Sequence, residues 1–244
     1  MAQKRFKERG PKKVNNHNRR IMEDLEFEAR PPSYEKQKPE KLSAMNEAQA
    51  HYMMSINSSD LTFGVGPAGT GKTYVCGSLA AEALMSGKAS HIIITRPAVE
   101  AGESLGFLPG EISEKYEPYI QPFREVLNER MGKSRVEYSM KRGQIEAAPL
   151  AYMRGRTFKD AFVILDEAQN TTPTQMKLFL TRIGKNCTVI VNGDLNQSDI
   201  RGQSGLDDAM NKLKHIKGIQ SVVFDRADVV RSGLVQKIVE AYEY

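Results

Sequence analysis

Tryptophan is absent from these 244 residues, cysteine occurs twice and histidine four times. Cys76 and Cys187 have no Cys or His neighbour at ligand spacing, and His17, His51, His91 and His215 are scattered. Neither a disulfide framework nor a structural metal is therefore expected. Long apolar runs are missing as well. The longest, such as Phe162–Leu165, fall far short of the roughly eighteen residues that span a bilayer. The N-terminus is highly charged and lacks the apolar centre of a secretory signal. A soluble, cytoplasmic chain with no membrane partner is expected. What remains is ordinary globular material, 40% apolar and 27% charged, in a length that can bury one large core.

The net charge of +5 is unevenly spread. Residues 1–20 hold Lys4, Arg5, Lys7, Arg9, Lys12, Lys13, Arg19 and Arg20 against Glu8 alone, a net of +7, which leaves −2 for the rest. This arm has no apolar periodicity and is expected to be disordered. It could attract nucleic acid through counterion release, or serve only as a solvated tail. A Pro- and charge-rich stretch follows over 30–41. The expected organisation is an arm and lead-in over 1–42 and one folded domain over 43–244, opening with a helix from an N-cap at Ser43 to Ile56.

Strands and helices then alternate. Leu61–Gly66 reads as a short apolar strand, followed by a glycine loop and a helix over 72–86. His91–Thr95 is a β-branched strand, and Ala161–Asp166 a continuous apolar one suited to the middle of a parallel sheet. Thr172 and Pro173 supply an N-cap and first-turn proline for a helix ending near Gly184. Cys187–Asn192 and Ser221–Phe224 are further strands, with a helix near 204–213 between them and a closing helix over 229–242. This order implies an α/β fold with a mainly parallel, doubly wound sheet. Residues 103–160, with Gly106, Pro109, Gly110, Pro118, Pro122 and Gly132, read as an ordered but irregular insertion.

Gly66-Pro67-Ala68-Gly69-Thr70-Gly71-Lys72-Thr73 fits the phosphate-binding pattern G-x-x-x-x-G-K-[ST] in full, between a strand and a helix where the pattern requires it. Its glycines let backbone N–H groups turn toward phosphates, and the helix N-terminus adds favourable charge. Lys72 is expected on the β/γ-phosphates and Thr73 on Mg²⁺. Asp166 and Glu167 end an apolar strand, where ligands of α/β folds sit. Asp166 would hold Mg²⁺, and Glu167 would activate or orient the attacking water. Asn192-Gly193-Asp194 with Gln197 ends another strand and could sense the γ-phosphate. A guanine-reading Asn-Lys-x-Asp is not present, the nearest run being Asn211-Lys212-Leu213-Lys214, which favours ATP. Gln49 could read the adenine edge. Arg231 and Arg226 are candidates for the arginine that stabilises the transferring phosphoryl group, and Arg96 for contact with nucleic acid or for coupling.

Together these residues resemble the PhoH-like family, relatives of the P-loop core of superfamily 1 helicases. The likeness runs in family order through Gly66–Thr73, Thr95–Glu103, Leu105–Gly110, Glu114–Tyr119, Leu165–Asn170, Gly193-Asp194 with Gln197, Gly205-Leu206 and Asp228–Arg231. It implies a RecA-like P-loop ATPase linked to phosphate starvation and RNA metabolism, with helicase activity. It also assigns Gln49 to adenine, Gln197 to γ-phosphate sensing and Arg231 to the finger. Some members carry an RNase-like domain; residues 1–42 are too short and polar for one, so no nuclease activity is carried over. A helicase working as a monomer has two such cores, and this chain has room for one. A homo-oligomer, a hexameric ring, is thus expected to complete the site. Tyr116, Tyr119, Phe123 and Tyr138 could stack on bases of RNA or single-stranded DNA. The alternatives are an ATPase switch that controls a protein partner and, less favoured, a small-molecule kinase.

Overall fold

Strands rich in β-branched and aromatic residues set the frame. A computed structural model describes residues 40–97, 112–200 and 202–230, with the side chains of 112–119 excepted. In chain order the main elements are α1 (Glu47–Ser58), β1 (Leu61–Val65), α2 (Lys72–Ser86), β2 (His91–Thr95), α3 (Ile112–Met131) and α4 (Lys133–Lys141). They continue with β3 (Ile145–Ala147), β4 (Ala161–Leu165), α5 (Pro173–Leu180), β5 (Thr188–Gly193), α6 (Gly205–Leu213) and β6 (Ile219–Val223). The sheet order is β3-β2-β4-β5-β1-β6, with every pair parallel. This is the α/β, RecA-like P-loop arrangement that the sequence predicts.

Side chains alternate across the central strands with period two. Phe162 and Ile164 of β4 and Ile190 of β5 face one core layer, where Tyr52, Val75, Phe123 and Leu127 cover them. Val163, Leu165, Val189 and Val191 face the other, with Met176, Phe179 and Leu206. β1, β4 and most of β5 are buried along their length, which is why these strands read as unbroken apolar runs rather than alternating ones. The register Leu61↔Val189 through Val65↔Gly193 brings the C-terminal ends of β1 and β5 level. Leu165↔Val191 does the same for β4. Loops leaving these three strands therefore meet at one edge.

Several boundaries differ from expectation. The first helix starts at Glu47 rather than at Ser43, because Asn46 caps it: its Oδ1 accepts from the Gln49 N–H at 2.8 Å. The helix capped by Thr172 has the expected first-turn proline and a full capping box with Gln175, but it ends at Leu180 rather than near Gly184.

The larger difference lies within 103–160, expected to be irregular. Its described part holds the 20-residue helix α3, then α4 and the edge strand β3. Pro118 and Pro122 lie inside α3, where each removes one backbone donor. Burial of Ile120, Phe123, Val126, Leu127 and Met131 at helical spacing outweighs that loss. Phe123, a suggested base-stacking residue, is fully buried and belongs to the core; α3 packs it beside α2. The side chains of Tyr116 and Tyr119 lie outside the described residues. So do 1–39 of the arm and lead-in, 98–111, and the expected closing helix beyond Val230. No described helix is long and apolar enough to cross a membrane.

Candidate functional site

The chain leaves β1 into the glycine loop. Gly66 has φ 147°, and its N–H donates to the Gly193 carbonyl at 3.0 Å, fixing the start of the loop to the end of β5. A Cβ on Gly66 would sit 2.3 Å from the Phe224 carbonyl oxygen, so no larger residue fits. Gly71 closes the loop at φ 84° as the N-cap of α2, with no side-chain hydrogen bond to the helix's first N–H groups. A 15-residue helix that opens without a capping side chain presents bare donors and the positive end of its dipole, which suits an anion.

Lys72 occupies the first turn. Its ammonium donates to the carbonyls of Gly66 at 2.6 Å and Pro67 at 2.7 Å and to Thr70 Oγ1 at 3.2 Å. Burial lowers its pKa, against the opposing pull of Asp166, Asp194 and Glu167. The cation is thus held inside the loop, facing a group of carboxylates.

Gln49 meets the same loop from α1. Its Nε2 donates to the Thr70 carbonyl at 3.0 Å while its Oε1 accepts from the Met45 N–H at 2.9 Å. One N–H and one lone pair of the amide are left over. Below the loop, Tyr52 donates to Asn192 Oδ1 at 2.5 Å, and Asn192 Nδ2 lies 3.3 Å from Cys76 Sγ. All three side chains are fully buried, tying α1, β5 and α2 together, and burial pushes the Cys76 thiol well up.

The acidic wall follows β4. Asp166 is buried, and its Oδ2 accepts from Arg96 Nε at 3.0 Å and Nη2 at 2.5 Å. Desolvation raises its pKa; Arg96 opposes this, and Glu167 adds to it. Glu167 adopts φ 53°, ψ 38°, a left-handed conformation that costs a non-glycine residue about 1–2 kcal/mol. Its Oε2 accepts from Gln169 Nε2 at 2.7 Å. Gln169 Oε1 in turn accepts from the Asp194 N–H at 3.0 Å, and the Gln169 carbonyl takes hydroxyl donors from Ser198 and Ser204. This glutamine therefore fastens the strained carboxylate to the end of β5.

One cleft of about 1050 Å³ holds these parts, with Gln49, Gly69, Lys72, Thr73, Asp166, Glu167, Asp194 and Gln197 in its lining. Every sequence-predicted residue of the P-loop helix start and the acidic pair thus faces one space. Arg226 is exposed in a short 3-10 turn and is not part of the lining. Arg231 lies outside the described residues; Val230, before it, donates to the Gly69 carbonyl at 3.0 Å. Arg96, expected to contact nucleic acid or to couple, has its guanidinium on Asp166. Gln169 was not singled out in the sequence, although it stands in the same Leu165–Asn170 run as the acids. Its spacing from Glu167 was the available signal. The Tyr52–Asn192–Cys76 contacts had none.

The residues fit a nucleotide with Mg²⁺. The donors at the start of α2 suit phosphates. Among the described residues no group of three His, Cys, Asp or Glu could cage a metal. Thr73 and Asp166, a hydroxyl and a carboxylate among the groups lining the cleft, suit a Mg²⁺ that takes its other ligands from phosphate and water.

Comparisons with known proteins gave the following matches. The family described as PhoH-like protein matches residues 41–243. A PhoH-like protein of Bacillus subtilis is 55% identical over 197 residues, covering 80% of this chain and 62% of that protein. Protein PhoH of Escherichia coli is 51% identical over 203 residues, covering 82% and 57%. The chain spans about 60% of the length of these curated relatives. Among solved structures, the Pif1 helicase from Candida albicans aligns with a TM-score of 0.42 at 13% identity, covering 82% of this chain and 43% of that one.

Proposed function

The chain belongs to the PhoH-like protein family, and from that premise we propose that it hydrolyses ATP with Mg²⁺ and couples hydrolysis to RNA or single-stranded DNA as a homo-oligomeric, hexameric ring. The observation that carries the reading is the shared cleft: Lys72 on an uncapped helix start faces Asp166 and Glu167 across it. Gly66–Thr73 would wrap the phosphates, and Lys72 would exchange its loop carbonyls for β/γ-phosphate oxygens. Thr73 and Asp166 would hold Mg²⁺, which neutralises charge on the phosphoryl group when bound. Glu167, held by Gln169, would orient the attacking water and take up its proton. Gln197 would sense the γ-phosphate, Gln49 would contact adenine with its remaining amide valences, and Arg231 would supply the finger.

The test is steady-state ATP hydrolysis by the assembled protein, with and without single-stranded RNA, beside Lys72→Ala and Glu167→Gln. Stimulation by RNA that both variants abolish supports an ATP-driven machine on a nucleic acid. Hydrolysis indifferent to RNA and single-stranded DNA would replace it with an ATPase switch acting on a protein partner. No hydrolysis with Mg²⁺ present would overturn the enzymatic reading itself.

A further inference from the structure

Two chain segments on the β4–β5 side of the fold are joined into one basic ribbon. The Phe158 N–H donates to the Arg182 carbonyl at 2.8 Å and the Asp160 N–H to the Lys185 carbonyl at 3.0 Å, and Phe158 forms a parallel bridge with Ile183. This pairing gathers Arg154, Arg156 and Lys159 beside Arg182 and Lys185, with Lys177 on the helix that precedes them. Within 147–165 and 171–193 these six cations share the segments with one carboxylate, Asp160. Residues 21–244 carry −2 in all, so outside the two segments they carry −7. Cations are thus concentrated here in an otherwise acidic body. Arg156 is paired with Glu146. Among the described residues Arg154, Lys159, Lys177 and Lys185 make no ion pair, and all four are exposed.

Tyr152 stands at the head of the ribbon, 53% exposed. A protein partner would want an apolar centre. Unpaired cations with one open aromatic ring are instead the combination that single-stranded nucleic acid uses, phosphates on the charges and a base on the ring. The paired part of the ribbon lies where β4 and β5 begin, and the chain just upstream of it reaches the ATP-site end of the sheet. The Leu150 N–H donates to the Arg96 carbonyl at 3.0 Å, and the Arg96 side chain holds Asp166.

We propose that the ribbon formed by 152–159 and 177–185 binds the phosphate backbone of single-stranded nucleic acid, with Tyr152 stacking on a base, and passes that binding to Asp166 through Arg96. This rests on the nucleic-acid-coupled reading of the ATPase and goes beyond it by naming the surface. The site differs from the basic N-terminal arm, which the same experiment leaves intact.

The experiment measures binding of a fluorescent oligoribonucleotide of about twelve nucleotides, and of its DNA counterpart, by the full chain. Salt is varied, and melting curves are recorded for every variant. The charge reversal Arg154→Glu/Lys159→Glu/Lys185→Glu is compared with Lys214→Glu/Lys217→Glu, two exposed lysines elsewhere. The ribbon variant should bind at least tenfold more weakly and lose about 2 from its logarithmic salt slope, at roughly 0.7 per phosphate contact. It should also lose strand-stimulated hydrolysis while keeping basal hydrolysis. Tyr152→Ala should weaken binding without changing the salt slope. Equal weakening by the ribbon and control variants, or none by either, would overturn the ribbon while leaving the coupled ATPase standing. Failure of the unaltered protein to bind any strand would overturn both.

Discussion

The two halves of the cleft are built by different means. On the β1 side the backbone does the holding: a loop of consecutive residues, with Gly66 and Gly71 at positive φ, keeps the Lys72 ammonium on carbonyls within six residues of itself. On the β4 side the side chains do it. Asp166 is held by Arg96 from seventy positions away, and Glu167 by a glutamine that reaches a strand end twenty-five positions further on. A local device survives as long as its few residues keep their conformation. A distributed one depends on the sheet register, since only the level ends of β4 and β5 let Gln169 span them.

The widest separation of the two halves comes from Lys72→Ala against Glu167→Gln. Loss of a group that stabilises developing charge costs about 10²–10³ in rate. Lys72→Ala should lose at least that much in hydrolysis and also bind ATP more weakly. Glu167→Gln should lose a comparable factor while binding ATP as well as the unaltered protein does. Nucleotide-binding isotherms beside turnover rates would show it, and equal loss of binding in both would mean that the halves are not separable.

Next in size is Gly66→Ala. With φ at 147° and the Phe224 carbonyl 2.3 Å from the new carbon, the loop must shift, at a cost of about 1–3 kcal/mol. Chemical denaturation should register this, together with weaker nucleotide binding. An unchanged midpoint would show that the loop yields without cost and that the Phe224 carbonyl does not fix its backbone. Gln169→Ala should be milder and selective. It removes a hydrogen bond to a charged group, worth about 1.5 kcal/mol, so kcat should fall roughly tenfold with KM for ATP little changed. Gln169→Glu, which places a second negative charge beside Glu167, should not restore it.

This contrast also explains what could be read from the sequence. The P-loop and the acidic pair were legible because their physics is sequential: glycines at fixed offsets, a strand ending in carboxylates, Thr172-Pro173 opening a helix. The parallel sheet followed from the continuous apolar runs of β1 and β4. Three features were hidden because tertiary contact decides them. Helix α3 runs through two prolines on the strength of its buried stripe. β3 is only three residues long and exists because β2 offers it an edge. The spacing of Gln169 from Glu167 is visible in the sequence, but its second contact, with Asp194, is announced by no local pattern.

The smallest effect tests whether the acidic half carries a built-in cost. Desolvation raises the pKa of Asp166 despite Arg96. A carboxyl whose folded pKa lies above its unfolded value near 3.9 contributes stability at low pH, and that contribution is lost as pH rises through the folded value. In Asp166→Asn the side chain stays neutral throughout. Loss of the contact with Arg96 adds only a constant offset to this comparison. Without nucleotide or divalent cation, the melting temperature of Asp166→Asn relative to the unaltered protein should therefore rise between pH 4 and pH 7. A flat difference would mean that Arg96 fully compensates the buried charge; a falling one would reverse the sign of the shift. In either case the acidic wall would be as comfortable in the folded state as the glycine loop opposite, and the division between a relaxed backbone half and a strained side-chain half would rest on Glu167 alone.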